Sequence, residues 1–208
     1  MKSISYAITV CNELEEIVRL LNQLTNQIPD NDEIVVQYDD GNTPDEVLDY
    51  LKIQQNIYSN LKIVAFPLNN DFAAFKNNLA NHCTKDYIFS IDADEYPSEF
   101  LIQNLGLILG TNEVDIIFVP RVNTVDGLTD AHIQKWKWRV DDRGWVNWPD
   151  YQSRIYANNG HVHWMNKVHE TLTNFDTFTR FPAIEEYSLY HPKEIERQER
   201  QNDYYNKL

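Results

Sequence analysis

What most constrains this chain is a regular alternation, through its first 122 residues, of short β-rich runs with stretches of helical period. Residues 5–10 (SYAITV), 33–37 (EIVVQ), 61–66 (LKIVAF), 87–91 (YIFSI) and 114–122 (VDIIFVPRV) read as strands. Between the first two, residues 13–28 place Leu14, Ile17, Val18, Leu21 and Leu24 on one helix face. Residues 72–83 read as another helix. Pro44 suits the first turn of a helix through Val47, Leu48 and Leu51, and Pro97 the start of one through Leu101, Leu105 and Ile108. Strands separated by helix-length segments imply βαβ units with right-handed crossovers. The expected class is α/β: a mostly parallel central sheet with helices on both faces.

Near Asn123 the character changes. Residues 136–164 are rich in Trp, His and Arg and show little helical period, and the polar tail 193–208 reads as an exposed helix. A chain of 208 residues with 42% hydrophobic content can bury one sizeable core. The organisation expected is one domain over 1–208, with a nucleotide-binding front half, 1–122, and a substrate-binding rear half, 123–208.

Charge narrows the classes. The formal net charge of −14 argues against nonspecific nucleic-acid binding and a polybasic membrane anchor. The apolar run at 116–120 is far too short to span a bilayer, and the N-terminal stretch lacks a secretory signal. Two cysteines, Cys11 and Cys83, are too few for a disulfide framework. A soluble, cytoplasmic protein is the expectation. So acidic a chain needs local compensation to hold a phosphate-bearing ligand, and a metal cation is one such device.

In residues 87–95 (YIFSIDADE) an apolar strand runs directly into three acids. Residues two apart on a strand point to the same side, so Asp92 and Asp94 share a side and Ala93 opposes them. Ligands of open parallel sheets gather at the carboxyl ends of strands. Paired oxygens there suit Mg²⁺ or Mn²⁺, with positions left for phosphate oxygens. Taken alone, the three residues fit better a second reading, acids in a solvated turn that cap the following helix; their place at a strand end after three βα units favours the metal.

Several segments, taken in order, resemble glycosyltransferase family 2, whose members have the GT-A fold. They are SYAITVCNELEEI, EIVVQYDDGNTPDEV, NNDFAAFKNNLANHCTKDYIFSIDADE and WPDYQSRIYANNGHVHWMNKVHE. The resemblance runs from about residue 4 to about residue 200. It implies an inverting transfer from a UDP-sugar to a hydroxyl of a carbohydrate or glycoconjugate acceptor, aided by Mn²⁺ or Mg²⁺. Thr9, Val10, Asn12 and Glu13 would line the nucleotide, and Asp39 would accept a hydrogen bond from the base. Asp92 and Ala93 would approach the donor; Asp94 would bind the metal with help from Asp92. Lys76 stands where the family commonly has Arg, exchanging a planar fork for a point charge. Val10-Cys11 replaces the frequent Thr-Tyr or Pro-Tyr before Asn-Glu, and Asn42-Thr43-Pro44 the usual Ser-x-Asp.

The rear half must supply the rest. His169 is the candidate third metal ligand. His161 and His163, with His169, would make a zinc site only if they converged. An inverting transfer needs a base for the acceptor proton, and Glu170 and Asp150 are the candidates, Glu170 first. Arg154 would pair with Asp150 or meet a phosphate. Of Trp136, Trp138, Trp145 and Trp148, some belong to the core, while Trp145 and Trp148 are candidates for stacking on an acceptor sugar. A noncatalytic sugar- or nucleotide-binding module on the same fold is the alternative. A nucleotidyltransferase is rejected because residues 10–13 (VCNE) hold no glycine to cradle a triphosphate.

Overall fold

The computed structural model describes residues 1–205. Its elements, in order, are β1 (Ile4–Val10), α1 (Leu14–Gln27), β2 (Glu33–Asp39), α2 (Asp45–Ile57), β3 (Leu61–Phe66), α3 (Phe72–Ala80), β4 (Tyr87–Asp92) and β5 (Tyr96–Pro97). Then come α4 (Glu99–Thr111), β6 (Ile116–Asp126), α5 (Asp130–Trp136), β7 (Val146–Ala157), β8 (His163–Met165), β9 (Thr171–Thr173), β10 (Phe178–Arg180), β11 (Leu189–Glu194) and α6 (Ile195–Tyr205).

The expected α/β architecture is present. The main sheet runs β3-β2-β1-β4-β7-β6-β11-β5, and β10 also pairs with β6. The pairings among β1 to β4 are parallel, as are those of β6 with β10 and β11. β7 lies antiparallel between β4 and β6, so strands of the front and rear halves share one sheet. The run at 114–122 therefore does not pair with the preceding strand, as a simple βαβ series would have it.

Strand alternation explains the two-sided core. Ile4, Tyr6, Ile8 and Val10 of β1 join Phe89 and Ile91 of β4 in a cluster covered by α1, α2 and α4. Ala7, Val35 and Ile88 point the other way and meet α3 and the β8–β9 hairpin. The buried stripe of α1 is Ile17, Leu20, Leu21 and Leu24. Each such side chain is worth about 1.5–3 kcal/mol when fully buried.

Local boundaries have local causes. Pro44 is the residue preceding α2 and not its first turn. Pro97 is not a helix start either: it pairs with Leu189 of β11, and the Ser98 hydroxyl caps α4 by accepting the Leu101 amide. Asp71 caps α3 through the Ala74 amide, and that helix stops at Ala80. The polar tail is helical as expected over α6; residues 206–208 of that expectation lie outside the described residues. Gly127 lets α6 approach, since a Cβ there would come within 2.9 Å of the Ile195 Cγ2. No helix among the described residues is long and apolar enough to cross a membrane.

Candidate active site

Strand register builds the site. Thr9 of β1 stands beside Asp92 of β4, Arg121 of β6 beside Asp150 of β7, and Asn123 of β6 beside His191 of β11. Each neighbouring pair is also bonded. The Thr9 hydroxyl donates to Asp92 Oδ1 at 2.9 Å. Arg121 grips Asp150 Oδ2 through Nε at 2.9 Å and Nη2 at 2.7 Å. The Asn123 Oδ1 lies 2.7 Å from His191 Nδ1.

Longer side chains join these pairs into one network. Arg154 Nη2 reaches Asp92 Oδ2 and Glu95 Oε1, both at 2.6 Å, and Arg121 Nη1 reaches the same Glu95 oxygen at 2.8 Å. The Glu95 side chain is 0% exposed, so these two guanidiniums are what make its charge tolerable. Lys76 Nζ lies 3.2 Å from Asp92 and 2.8 Å from Glu170, and sits 4.8 Å above the Trp164 ring. At the other end, Asp94 Oδ2 lies 3.3 Å from His191 Nε2 and 3.5 Å from Arg197 Nη2. Arg197, on α6, also pairs with Glu13 and Glu16 of the first helix region.

Charge placement sets protonation. Burial alone would push the Asp92 carboxyl up, but Arg154 and Lys76 outweigh it and hold Asp92 well below the usual carboxylate range. Asp150 is likewise held down, its burial outweighed by Arg121 and by bonds from Asn123 and Gln152. Burial pushes His191 below its ordinary value, toward the neutral imidazole, against the opposing pull of the Asp94 carboxylate.

That neutrality has a geometric consequence. Asn123 turns its Nδ2 to Asp150 Oδ2 at 2.9 Å, which leaves its Oδ1 facing His191. An oxygen acceptor there assigns the proton of the neutral ring to Nδ1. The Nε2 lone pair then faces the Asp94 carboxylate at 3.3 Å. Two lone-pair donors at that separation are close to the bite of two ligands on one cation, with bonds of about 2.1 Å.

The sequence-derived candidates distribute unevenly. Thr9, Val10, Asn12, Glu13, Asp39, Lys76, Asp92, Ala93, Asp94, Arg154, His169 and Glu170 all line one open cleft of about 1690 Å³ at the carboxyl ends of β1, β2 and β4. Ala93 is buried in the core, as is Val10, but β4 ends at Asp92 and Ala93 and Asp94 lie in the turn beyond it, so strand alternation does not set where they point. Asp39 accepts the Leu68 amide at 2.9 Å, which fixes its carboxylate at the end of β2. Arg154 does not pair with Asp150; Asp150 takes Arg121 instead, because Arg121 is its register neighbour across β6 and β7. Trp145 and Trp148 do not line the cleft. Their rings pack 4.8 Å apart and Arg143 stacks 3.5 Å over Trp145. The tryptophan that does line it is Trp164.

The expected metal set is also altered. Among the described residues, no three His, Cys, Asp or Glu side chains converge on one metal position, so neither the Asp92–Asp94–His169 set nor the histidine zinc site is assembled. His169 stands at the cleft with a left-handed backbone, φ 55°. The residue missed was His191. Its signal was present in 189–194 (LYHPKE), where Leu189 and His191 alternate as buried positions, but a single His in a polar stretch is a weak cue.

Comparison with known proteins accords with this geometry. The sequence model described as Glycosyl transferase family 2 matches residues 5–184. The SPbeta prophage-derived glycosyltransferase SunS of Bacillus subtilis (strain 168) is 26% identical over 191 residues, covering 91% of this chain and 39% of that protein. The chain thus spans about two fifths of the length of that relative. S. aureus TarS 1-349 in complex with UDP-GlcNAc superposes with a TM-score of 0.65 at 15% identity, over 93% of this chain and 59% of the other. The mannosyltransferase PcManGT from Pyrobaculum calidifontis, in complex with GDP-Man and Mn²⁺, gives 0.50 at 17% identity over 58% of this chain and 36% of the other. These structural likenesses bear on the fold, which is GT-A.

Proposed function

The chain belongs to glycosyl transferase family 2, and from its cleft we propose that it moves a sugar, such as a hexose, from a UDP-sugar to a hydroxyl of a carbohydrate or glycoconjugate acceptor, with inversion. The observation that carries this reading is the pairing of Asp94 with the Nε2 lone pair of His191, in the same cleft as Asp39, Lys76 and Arg154. Asp94 and His191 would hold a divalent cation, Mn²⁺ better than Mg²⁺ because one ligand is an imidazole. Such a cation offsets charge on a leaving diphosphate. Two protein ligands suffice where substrate phosphates and water complete the shell. Asp92, already engaged by Thr9, Lys76 and Arg154, is better suited to orienting those cations than to ligating a metal.

In the transfer, the acceptor oxygen attacks the anomeric carbon, the bond from that carbon to the diphosphate oxygen breaks, and UDP departs with the electron pair. The acceptor proton goes to a carboxylate. Glu170 is the base we favour, since it lines the cleft and Lys76 fixes it at 2.8 Å. Asp150 is less suited: Arg121, Asn123 and Gln152 already donate four bonds to its two oxygens. The two cysteines, both unpaired, fit a reducing cytoplasmic setting.

Titration calorimetry of UDP with Mn²⁺ and with chelator tests the donor site. Binding at least about tenfold tighter with Mn²⁺, lost in His191→Ala, is expected, each tenfold being 1.4 kcal/mol. Equal affinity in both conditions would refute the metal role. UDP binding without any acceptor-dependent UDP release from a panel of UDP-sugars would favour a noncatalytic module.

A further inference from the structure

Beside the cleft lies a second, smaller pocket of about 240 Å³ to which nothing above gives a task. Its floor is Arg121, Asn123 and Asp150 of the paired strands, and one wall is Trp138. α6 contributes Gln198 and Asn202, which are bonded to each other at 2.9 Å. Arg121, His191 and Lys193 line both this pocket and the cleft, so the two spaces meet at the His191 imidazole, beside Asp94.

We propose that this pocket receives the acceptor, and that the acceptor presents an uncharged sugar ring there. The proposal rests on the donor reading above and adds the acceptor's place and class. Size is the first argument. Sites for drug-sized ligands run to roughly 300–1,000 Å³, so 240 Å³ accommodates about one ring.

Lining chemistry is the second. Trp138 supplies a flat apolar face and is held in place: its ring lies 4.6 Å from that of Trp136, which stacks at 5.2 Å on His132. The lining also holds carboxamides and a carboxylate, groups that match adjacent hydroxyls as donors and acceptors. Apolar lining is limited to Val125 and Val146 beside the indole, too little for a lipid chain.

Charge is the third argument. Arg121 and Asp150 neutralise each other at 2.7 Å, and the other lining cation, Lys193, stands where the pocket meets the cleft, so the pocket's floor presents no uncompensated charge and a neutral polyol fits there. The ring's reacting hydroxyl would extend past His191 into the cleft, where Glu170 lies, and Asp150 would hold the ring and not take the proton. Gripped by Arg121 and Asn123, it is a rigid acceptor for ligand hydroxyls. Packing is the fourth argument: α6 approaches α5, with Glu199 Oε1 3.7 Å from His132 Nε2.

Saturation-transfer NMR tests this on the full chain with Mn²⁺ and UDP present, using methyl glycosides of glucose, galactose, mannose and N-acetylglucosamine as probes. At least one glycoside is expected to bind. Trp138→Ala should weaken it roughly tenfold or more, as truncating an aromatic anchor does, and Gln198→Ala several-fold, while UDP affinity by calorimetry stays at the wild-type value. Gln198 lies on a surface helix, so its variant tests the pocket even if Trp138→Ala folds poorly. Wild-type glycoside binding in both variants overturns the proposal, as does UDP binding with no glycoside binding at all. Failure of UDP itself to bind the wild type overturns the donor reading, and the acceptor assignment with it.

Discussion

Replacing Arg154 by Met would remove the central cation of the site while nearly conserving volume. Arg154 is buried and its Nη2 serves two carboxylates, Asp92 and Glu95, each at 2.6 Å. A hydrogen bond to a charged group is worth about 1.5–3 kcal/mol, so losing both removes about 3–6 kcal/mol. Removing one partner of a buried ion pair independently suggests about 3–5 kcal/mol. The loss does not grow further, because Glu95 keeps Arg121 at 2.8 Å and Asp92 keeps Lys76 and Thr9. With a urea slope of about 2 kcal/mol/M, the midpoint of unfolding should fall by roughly 1.5–2.5 M.

The acid limb should move as well. Asp92, held low by Arg154, stabilises the native state above the unfolded carboxylate range and loses that contribution as pH falls through its depressed folded value. Without Arg154 its folded value rises, so acid destabilisation should set in at higher pH. The assay is urea unfolding followed by tryptophan fluorescence between pH 3 and pH 8, with wild type alongside. A stability change below about 1 kcal/mol at pH 7 would refute the argument that Arg154 compensates the buried Glu95 and the half-buried Asp92.

Two further outcomes are expected. Asp32 is buried, accepts the Ile4 amide at 2.9 Å, and is pushed by burial up to about 6, so its stabilisation is complete below the unfolded carboxylate value and lost as pH rises through about 6. Asp32→Asn should therefore be more stable than wild type above pH 6, by about 1–3 kcal/mol, and lack the wild-type decline between about pH 4 and 6; identical urea profiles would refute this. Asn77 brackets Trp164 through its Oδ1 at 2.8 Å and its Nδ2 at 2.8 Å, tying α3 to the hairpin that presents Glu170. Asn77→Ala should cost about 1–3 kcal/mol and lower kcat severalfold with UDP affinity unchanged, and an unaltered kcat would show that the hairpin does not need that tie.

The sequence by itself determined the front half. Period-two and helical patterns there arise because each strand and helix buries one defined face, and the boundaries of β1, β3 and α1 follow the pattern within a residue or so. The same local logic placed the acids just beyond strands; in the structure Asp39 ends β2, Asp92 ends β4, and Asp94 lies in the turn after it. The rear half was opaque for a physical reason: β7 was not legible because most of its positions are half-buried and several line the polar site, so 146–157 lacks a clean alternation and contains Pro149. Which strands pair, and in what register, is decided by contacts far apart in sequence, and it is register that sets Arg121 against Asp150 and Asn123 against His191. Tertiary structure alone therefore brought His191 to Asp94 across 97 positions, drew Trp145 and Trp148 away from the cleft, and put Trp164 into it.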